Sequence, residues 1–210
     1  MAKGIKNMWK ASWRDSWPVY LLGLATLLAG LCFGCWGAYH LDGSQAGRLS
    51  VLIDSFVNQA GSMTVDRQQA VKNAIANNLF LVGLFYLLGL TVIGMPAVLV
   101  LLSARGFSLG FTIGFLTRDK VGEGMVIALA SVMPQNVLFI PAIYLAGVAA
   151  LSFSWLLIKR LLDSKQPVLP GLLGYHVLML VVCCIAAAAG LVEAFVTPDL
   201  TRAAINLLIK

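Results

Sequence analysis

Residues 166–192, QPVLPGLLGYHVLMLVVCCIAAAAGLV, contain no Asp, Glu, Lys or Arg. The hydrocarbon core of a bilayer is about 30 Å thick, so about 20 apolar residues in a helix cross it. Three other stretches are equally free of charge: Ser16–Leu41, Asn73–Ser103 and Gly124–Ile158. Of the 210 residues 60% are hydrophobic and 11% charged, against about 25% charged in an average soluble domain. Mean hydropathy is +0.88. The chain therefore reads as an all-α, polytopic transmembrane helix bundle with about five spans.

The spans are expected near Pro18–Ala38, Leu79–Leu102, Gly106–Thr117, Asn136–Ile158 and Val168–Val192. The third is too short for a comfortable crossing unless Ser103 and Arg105 are drawn in. Pro96 predicts a kink near Gly94 in the second, because proline removes one helical hydrogen bond. Pro134 and Pro141 interrupt the fourth apolar run, which predicts a broken span preceded by a half-helix over Gly124–Met133. Residues 1–210 form one integral membrane domain, with a basic cytoplasmic N-terminus (1–17), an extracytoplasmic segment (40–78) and the remaining spans and polar tail (79–210). Within 40–78, Leu49, Leu52, Ile53, Phe56 and Val57 recur at helical spacing and predict an amphipathic helix. A second helix is expected over Asp66–Asn78.

Net charge is +6. Without a basic helix or aromatic–basic patch this does not point to nucleic acid; it reads as loop charge that orients the spans. The segments assigned inside carry eight basic residues (Lys3, Lys6, Lys10, Arg14, Arg105, Lys159, Arg160, Lys165) and two acids, Asp15 and Asp163. Those assigned outside carry seven of each sign. The N-terminus is thus placed inside and the C-terminus outside. Trp9, Trp13, Trp17 and Tyr20 at one end of the first span, with Trp36 and Tyr39 at the other, match interfacial aromatic belts.

The four cysteines, Cys32, Cys35, Cys183 and Cys184, lie inside apolar runs and read as packing residues. No HExxH, GxSxG, phosphate-binding loop or acidic pair within one apolar segment is present. The chain is read as non-enzymatic, with no metal site and no cofactor.

The residues with a deliberate pattern are structural. Gly106, Gly110 and Gly114 repeat every four residues, beside Phe107, Phe111 and Phe115. Such a stripe lets another backbone approach closely, which predicts a helix–helix seam within the chain, with a partner or in a homo-oligomer. Gly30 and Gly34 form a second stripe. In Pro134-Gln135-Asn136…Pro141 the polar side chains read as donors to carbonyls that the prolines leave free; the alternative is a broken helix lining a substrate path. The absence of an accompanying buried charge favours the former. Glu193, an intramembrane carboxylate candidate, is placed at the end of its span, where interfacial water reaches it. His40 and His176 read as packed or interfacial.

Several segments in order resemble stage II sporulation protein M. They are Gly94-Met95-Pro96, Gly106-Phe107-Ser108-Leu109-Gly110-Phe111-Thr112-Ile113-Gly114-Phe115-Leu116, Ser131-Val132-Met133-Pro134-Gln135-Asn136, Ile140-Pro141-Ala142, Gly147-Val148-Ala149-Ala150-Leu151-Ser152-Phe153-Ser154 and Glu193-Ala194-Phe195-Val196-Thr197-Pro198. The wider superfamily often carries His and Glu where this chain holds Gln135 and Phe139, a departure that resembles the spore-former branch and points away from ionisable, transport-like chemistry. The resemblance implies a membrane scaffold at the sporulation septum and the engulfing mother-cell membrane, which recruits two peptidoglycan-degrading partners, stage II sporulation proteins D and P. Its other partner is the lipid bilayer.

Overall fold

The computed structural model describes residues 2–60, 67–119, 123–162 and 168–208. Six helices account for them: α1 (Ala2–Tyr39), α2 (Gly43–Ala60), α3 (Arg67–Gly89), α4 (Gly94–Asp119), α5 (Glu123–Leu162) and α6 (Leu169–Leu208). Five contain stretches long and apolar enough to span a bilayer: Trp17–Tyr39, Arg67–Gly89, Gly94–Arg118, Val132–Leu162 and Leu169–Thr201. In hydrocarbon every backbone donor needs an internal acceptor, which helices supply by themselves. Asp66, Lys120, Asp163 and Lys165 lie outside the described residues. So do the side chains of residues 2–16, of Ser131 and of Leu52, Ile53, Phe56 and Val57.

α5 is the centre of the bundle and packs on α1, α3, α4 and α6. Ala142, Ile143, Ala146, Ala150 and Leu151 are fully buried there. Large apolar side chains on the outer helix faces, such as Phe33, Phe80, Val100 and Leu180, remain exposed and face the lipid. α2 follows α1 after a short turn.

The most extensive contact joins α1 and α4. The two helices run parallel, because Gly30 lies against Ser103, Gly34 against Phe107, and Gly114 against Cys35 and Ala38. A Cβ on Gly30 would overlap the carbonyl oxygen of Ser103, and one on Gly34 that of Phe107. In return, Cβ atoms on Gly106 and Gly110 would overlap the carbonyl oxygens of Leu27 and Leu31. The two glycine stripes thus face each other within one chain. Phe107, Phe111 and Phe115 stack along the adjoining face, with centroids 5.9 and 6.4 Å apart.

The second and third spans differ from expectation. The chain does not cross from Leu79 to Leu102 with a kink at Pro96. It reverses between Gly89 and Gly94, held by turn bonds Thr91 N–H to Leu88 O (3.0 Å) and Gly94 N–H to Thr91 O (3.2 Å). Pro96 sits in the first turn of α4, where its missing N–H has no helical partner to lose. The carbonyls left open at the end of α3 are taken by neighbours. Tyr175 O–H is shared between Phe85 O (3.2 Å) and Tyr86 O (2.9 Å). Ser154 O–H is shared between Gly89 O (3.1 Å) and Thr91 O (3.0 Å). Residues 67–78, read as an outer segment, form the first turns of α3, and the third span becomes a full crossing that includes Ser103 and Arg105.

A helix break at Pro134–Pro141 is likewise absent: α5 is one helix with both prolines inside. Asn136 Nδ2 donates to Val132 O (2.7 Å), so it serves its own backbone, though not the carbonyls of Ala130 or Val137. α6 continues past Val192 with Pro198 inside it, and residues 197–208 extend this helix instead of forming a separate tail. Arg118, expected as a loop charge, caps α1: its Nη1 donates to Ala38 O (2.9 Å) and Tyr39 O (3.0 Å).

Adding one methyl group where a backbone already lies forces the helices apart, and overpacking costs about 1–3 kcal/mol per site. Gly30→Ala, Gly34→Ala, Gly106→Ala and Gly110→Ala should each lower the thermal unfolding midpoint in mild detergent. Gly83→Ala and Gly174→Ala, where a Cβ meets nothing within 4 Å, should leave it unchanged or raised.

Candidate functional site

α4, α5 and α6 meet at a polar junction in the half of the bundle that holds the start of α3 and the far end of α6. α5 contributes Gln135, Asn136 and Phe139, which share one helix face by their three- and four-residue spacing. α6 contributes Glu193 and, one turn further out, Thr197; α4 contributes Arg105. With the Gln135 amide turned so that its NH2 faces the carboxylate, as the hydrogen-bond network requires, it donates to Glu193 Oε2 at 2.6 Å and Oε1 at 3.1 Å. Arg105 and Glu193 are close enough to interact through their charges. The Arg105 guanidinium also lies over the Phe139 ring, 4.9 Å from its centroid, a cation–π contact that desolvation strengthens.

Arg105 therefore has a different place from the one expected. It was assigned to an inner loop, but it lies twelve positions into α4 (Gly94–Asp119), about 20 Å below Arg118 at 1.5 Å per residue. A cation at the centre of a spanning helix costs about 2.5–3.5 kcal/mol on insertion scales. Glu193 and Phe139 offset part of this. Glu193 lies eight residues before the end of the apolar stretch of α6, which runs to Thr201. The premise that no buried charge accompanies Pro134–Pro141 is thus overturned. With Arg105 in the bundle, the inward charge bias rests on the basic N-terminus, Lys159, Arg160 and Lys165.

Among the described residues three buried side-chain polar atoms have no partner: Arg105 Nε, Asn136 Oδ1 and Thr197 Oγ1. Glu193 also lines a cleft of about 440 Å³ between α3 and α6, whose walls include Asn73, Asn77, Ala194 and Pro198. Asn78, buried beside it, donates to Ala186 O (3.3 Å) and ties α3 to α6. Arg67, the first residue of α3, and Asp199 on α6 lie 3.7 Å apart and are exposed.

The other candidates do not join this cluster. His176 lies seventeen residues before Glu193 on α6, about 25 Å away along the axis. Its Nδ1 faces Leu172 O (2.8 Å), so Nδ1 carries the hydrogen and Nε2 accepts from Tyr86 O–H (2.8 Å). His40 Nδ1 faces Trp36 O (2.9 Å). Cys35 donates to Gly110 O across the glycine seam (3.2 Å), and all four cysteines are free thiols. Among the described residues no group of three His, Cys, Asp or Glu is placed to hold a metal. Arg105, Phe139, Thr197, Asn73 and Asn77 were missed as site residues. The available signal for Arg105 was that Gly94–Thr117 is one crossing only if a charge is accepted in it.

Five crossings built around a central helix, with one charged junction and no soluble domain among the described residues, define a multi-pass helical membrane protein. The chain matches the family model for stage II sporulation protein M over residues 23–198, and it belongs to that family. No curated protein matches it, and neither does a solved structure. Membership makes it a sporulation-related membrane protein of a family not known for enzymes.

Arg105 and Glu193 are half-buried, so removing one of them costs the hydrogen bond and charge interaction that it makes, about 1.5–3 kcal/mol for a bond to a charged group, which solvent screening reduces further. Glu193→Leu, which removes the acceptor of Gln135, should therefore lower stability by about 1–2 kcal/mol, and Arg105→Met with Glu193→Leu should recover part of that loss. Unfolding of each variant in bilayer-mimetic discs provides the comparison.

Proposed function

We propose that this protein is a non-enzymatic membrane scaffold, which recruits and anchors peptidoglycan-degrading partners at the sporulation septum and on the engulfing membrane. The partners in this reading are stage II sporulation proteins D and P. The observation that carries it is α2. This 18-residue helix follows the first span on the side that the charge pattern assigns to the outside, where peptidoglycan lies. Its sequence is amphipathic, with Leu49, Leu52, Ile53, Phe56 and Val57 at helical spacing. An amphipathic helix needs a surface for its apolar stripe, and an outer partner supplies one. The spans in turn give an anchor that is rigid along the α1–α4 seam.

A second reading, passage of a small solute, is favoured by the Arg105–Gln135–Glu193 junction and the adjoining cleft. It requires flux through the purified protein in liposomes, abolished by Glu193→Gln.

The scaffold reading is tested by co-purification from sporulating cells in mild detergent. Wild-type protein should retain stage II sporulation proteins D and P. Leu49→Glu with Ile53→Glu, which places charge on the α2 stripe, should reduce retention by about tenfold or more, equivalent to about 1.4 kcal/mol. Insertion and septal localisation of a fluorescent fusion should be unaffected. Retention unchanged by these substitutions would remove α2 from the account, and flux without any partner would favour the second reading.

A further inference from the structure

We propose that the cleft between α3 and α6 binds the ammonium head group of an ethanolamine-type phospholipid from the surrounding leaflet. Its volume, about 440 Å³, falls within the range of small-ligand pockets, about 300–1,000 Å³. Among the described residues Glu193 is the single ionisable side chain on its wall, and it stands opposite the amides of Asn73 and Asn77, one turn apart on α3. Gln135 grips the carboxylate from the bundle side. An ionised carboxylate has about four acceptor positions, so lone pairs remain towards the cleft.

Arg105 balances part of the charge of Glu193 from the bundle side, and the acceptors that remain on the lipid-exposed wall favour a cation with N–H donors. A primary ammonium offers N–H donors and forms charge-assisted hydrogen bonds to the carboxylate, which a trimethylated choline cannot. The two amides bring donors for the phosphate oxygens that adjoin an ethanolamine. Asn73 and Asn77 are exposed, so the cleft opens sideways and a lipid enters without leaving its leaflet. The depth also fits. Glu193 is six residues before Asp199, whose exposed pair with Arg67 lies at the start of α3; that is about 9 Å along the axis, which sets the cleft near the boundary between head groups and acyl chains. The site adds a lipid preference to the protein and does not depend on the scaffold reading.

The experiment is native mass spectrometry of the purified full chain, titrated separately with phosphatidylethanolamine, phosphatidylcholine and phosphatidylglycerol. Phosphatidylethanolamine should be retained at least about tenfold more strongly than either of the others. Glu193→Gln, which keeps the shape and the Gln135 contact, should abolish that preference. So should Asn73→Leu with Asn77→Leu, a change confined to exposed positions that decides the matter if Glu193→Gln fails to fold. Equal retention of the three lipids, or a preference that survives these substitutions, would overturn the proposal. Binding of soluble glycerophosphoethanolamine as tightly as the intact lipid would overturn the lipid as occupant.

Discussion

Two helices can place backbone against backbone only where neither carries a side chain, and the α1–α4 seam depends on that constraint. Lipid gives no hydrophobic drive for helix association, because acyl chains are as apolar as leucine. What remains is close packing, with dispersion and weak Cα–H···O contacts at short range. Gly30 and Gly34 on α1, with Gly106 and Gly110 on α4, bring each helix onto the other's carbonyl oxygens. The seam also sets the topology. Since α1 and α4 run parallel, an odd number of crossings must separate them. α3 supplies that return, packed mainly against α6 and α5 and little against α4. α5 then fills the centre with small side chains, among them Ala142, Ala146 and Ala150.

Around that frame most polar side chains complete the backbone of a neighbouring helix. Ser154 and Tyr175 take the last carbonyls of α3, Arg118 takes those of α1, and Tyr144 O–H reaches Tyr20 O (2.9 Å). Each bond joins two spans, so the same groups that make a helix end tolerable in lipid also fix how the helices sit. Arg105, Gln135 and Glu193 differ in kind. They form a charged junction between three helices, next to an open cleft, and leave polar atoms unpaired. Buried polar groups are rarely left in that state, and Glu193 alone of the three residues also lines the cleft.

The class of fold was legible from the uncharged runs, and the glycine spacing was legible as a seam. Hydropathy alone did not locate the reversal at Gly89–Gly94. That loop is as apolar as the helices it joins, and its polar needs are met by Ser154 and Tyr175, more than sixty residues away in sequence. Pro96 has two meanings, a kink within a helix or a helix start, and the flanking Gly89 and Gly94 were the cue for the second. Once Pro96 was placed mid-span, Arg105 had to fall in a loop. The junction then disappeared from view, because its members come from three helices and their register appears only when the helices are packed. Gln135 faces Glu193 because α5 and α6 are antiparallel, a relation that spacing within either segment does not encode.

The parallel glycine seam is tested most directly by cross-linking. A Cβ built on Gly114 would lie 3.1 Å from the Cβ of Ala38, close to the separation of about 3.5–4.5 Å in a disulfide. In a chain whose four native cysteines are replaced by alanine, Ala38→Cys with Gly114→Cys should form an intramolecular disulfide under mild oxidation in membranes. Cross-linking only between chains, or efficient linkage of position 38 to the opposite end of α4, at Val98, with none to position 114, would contradict the arrangement.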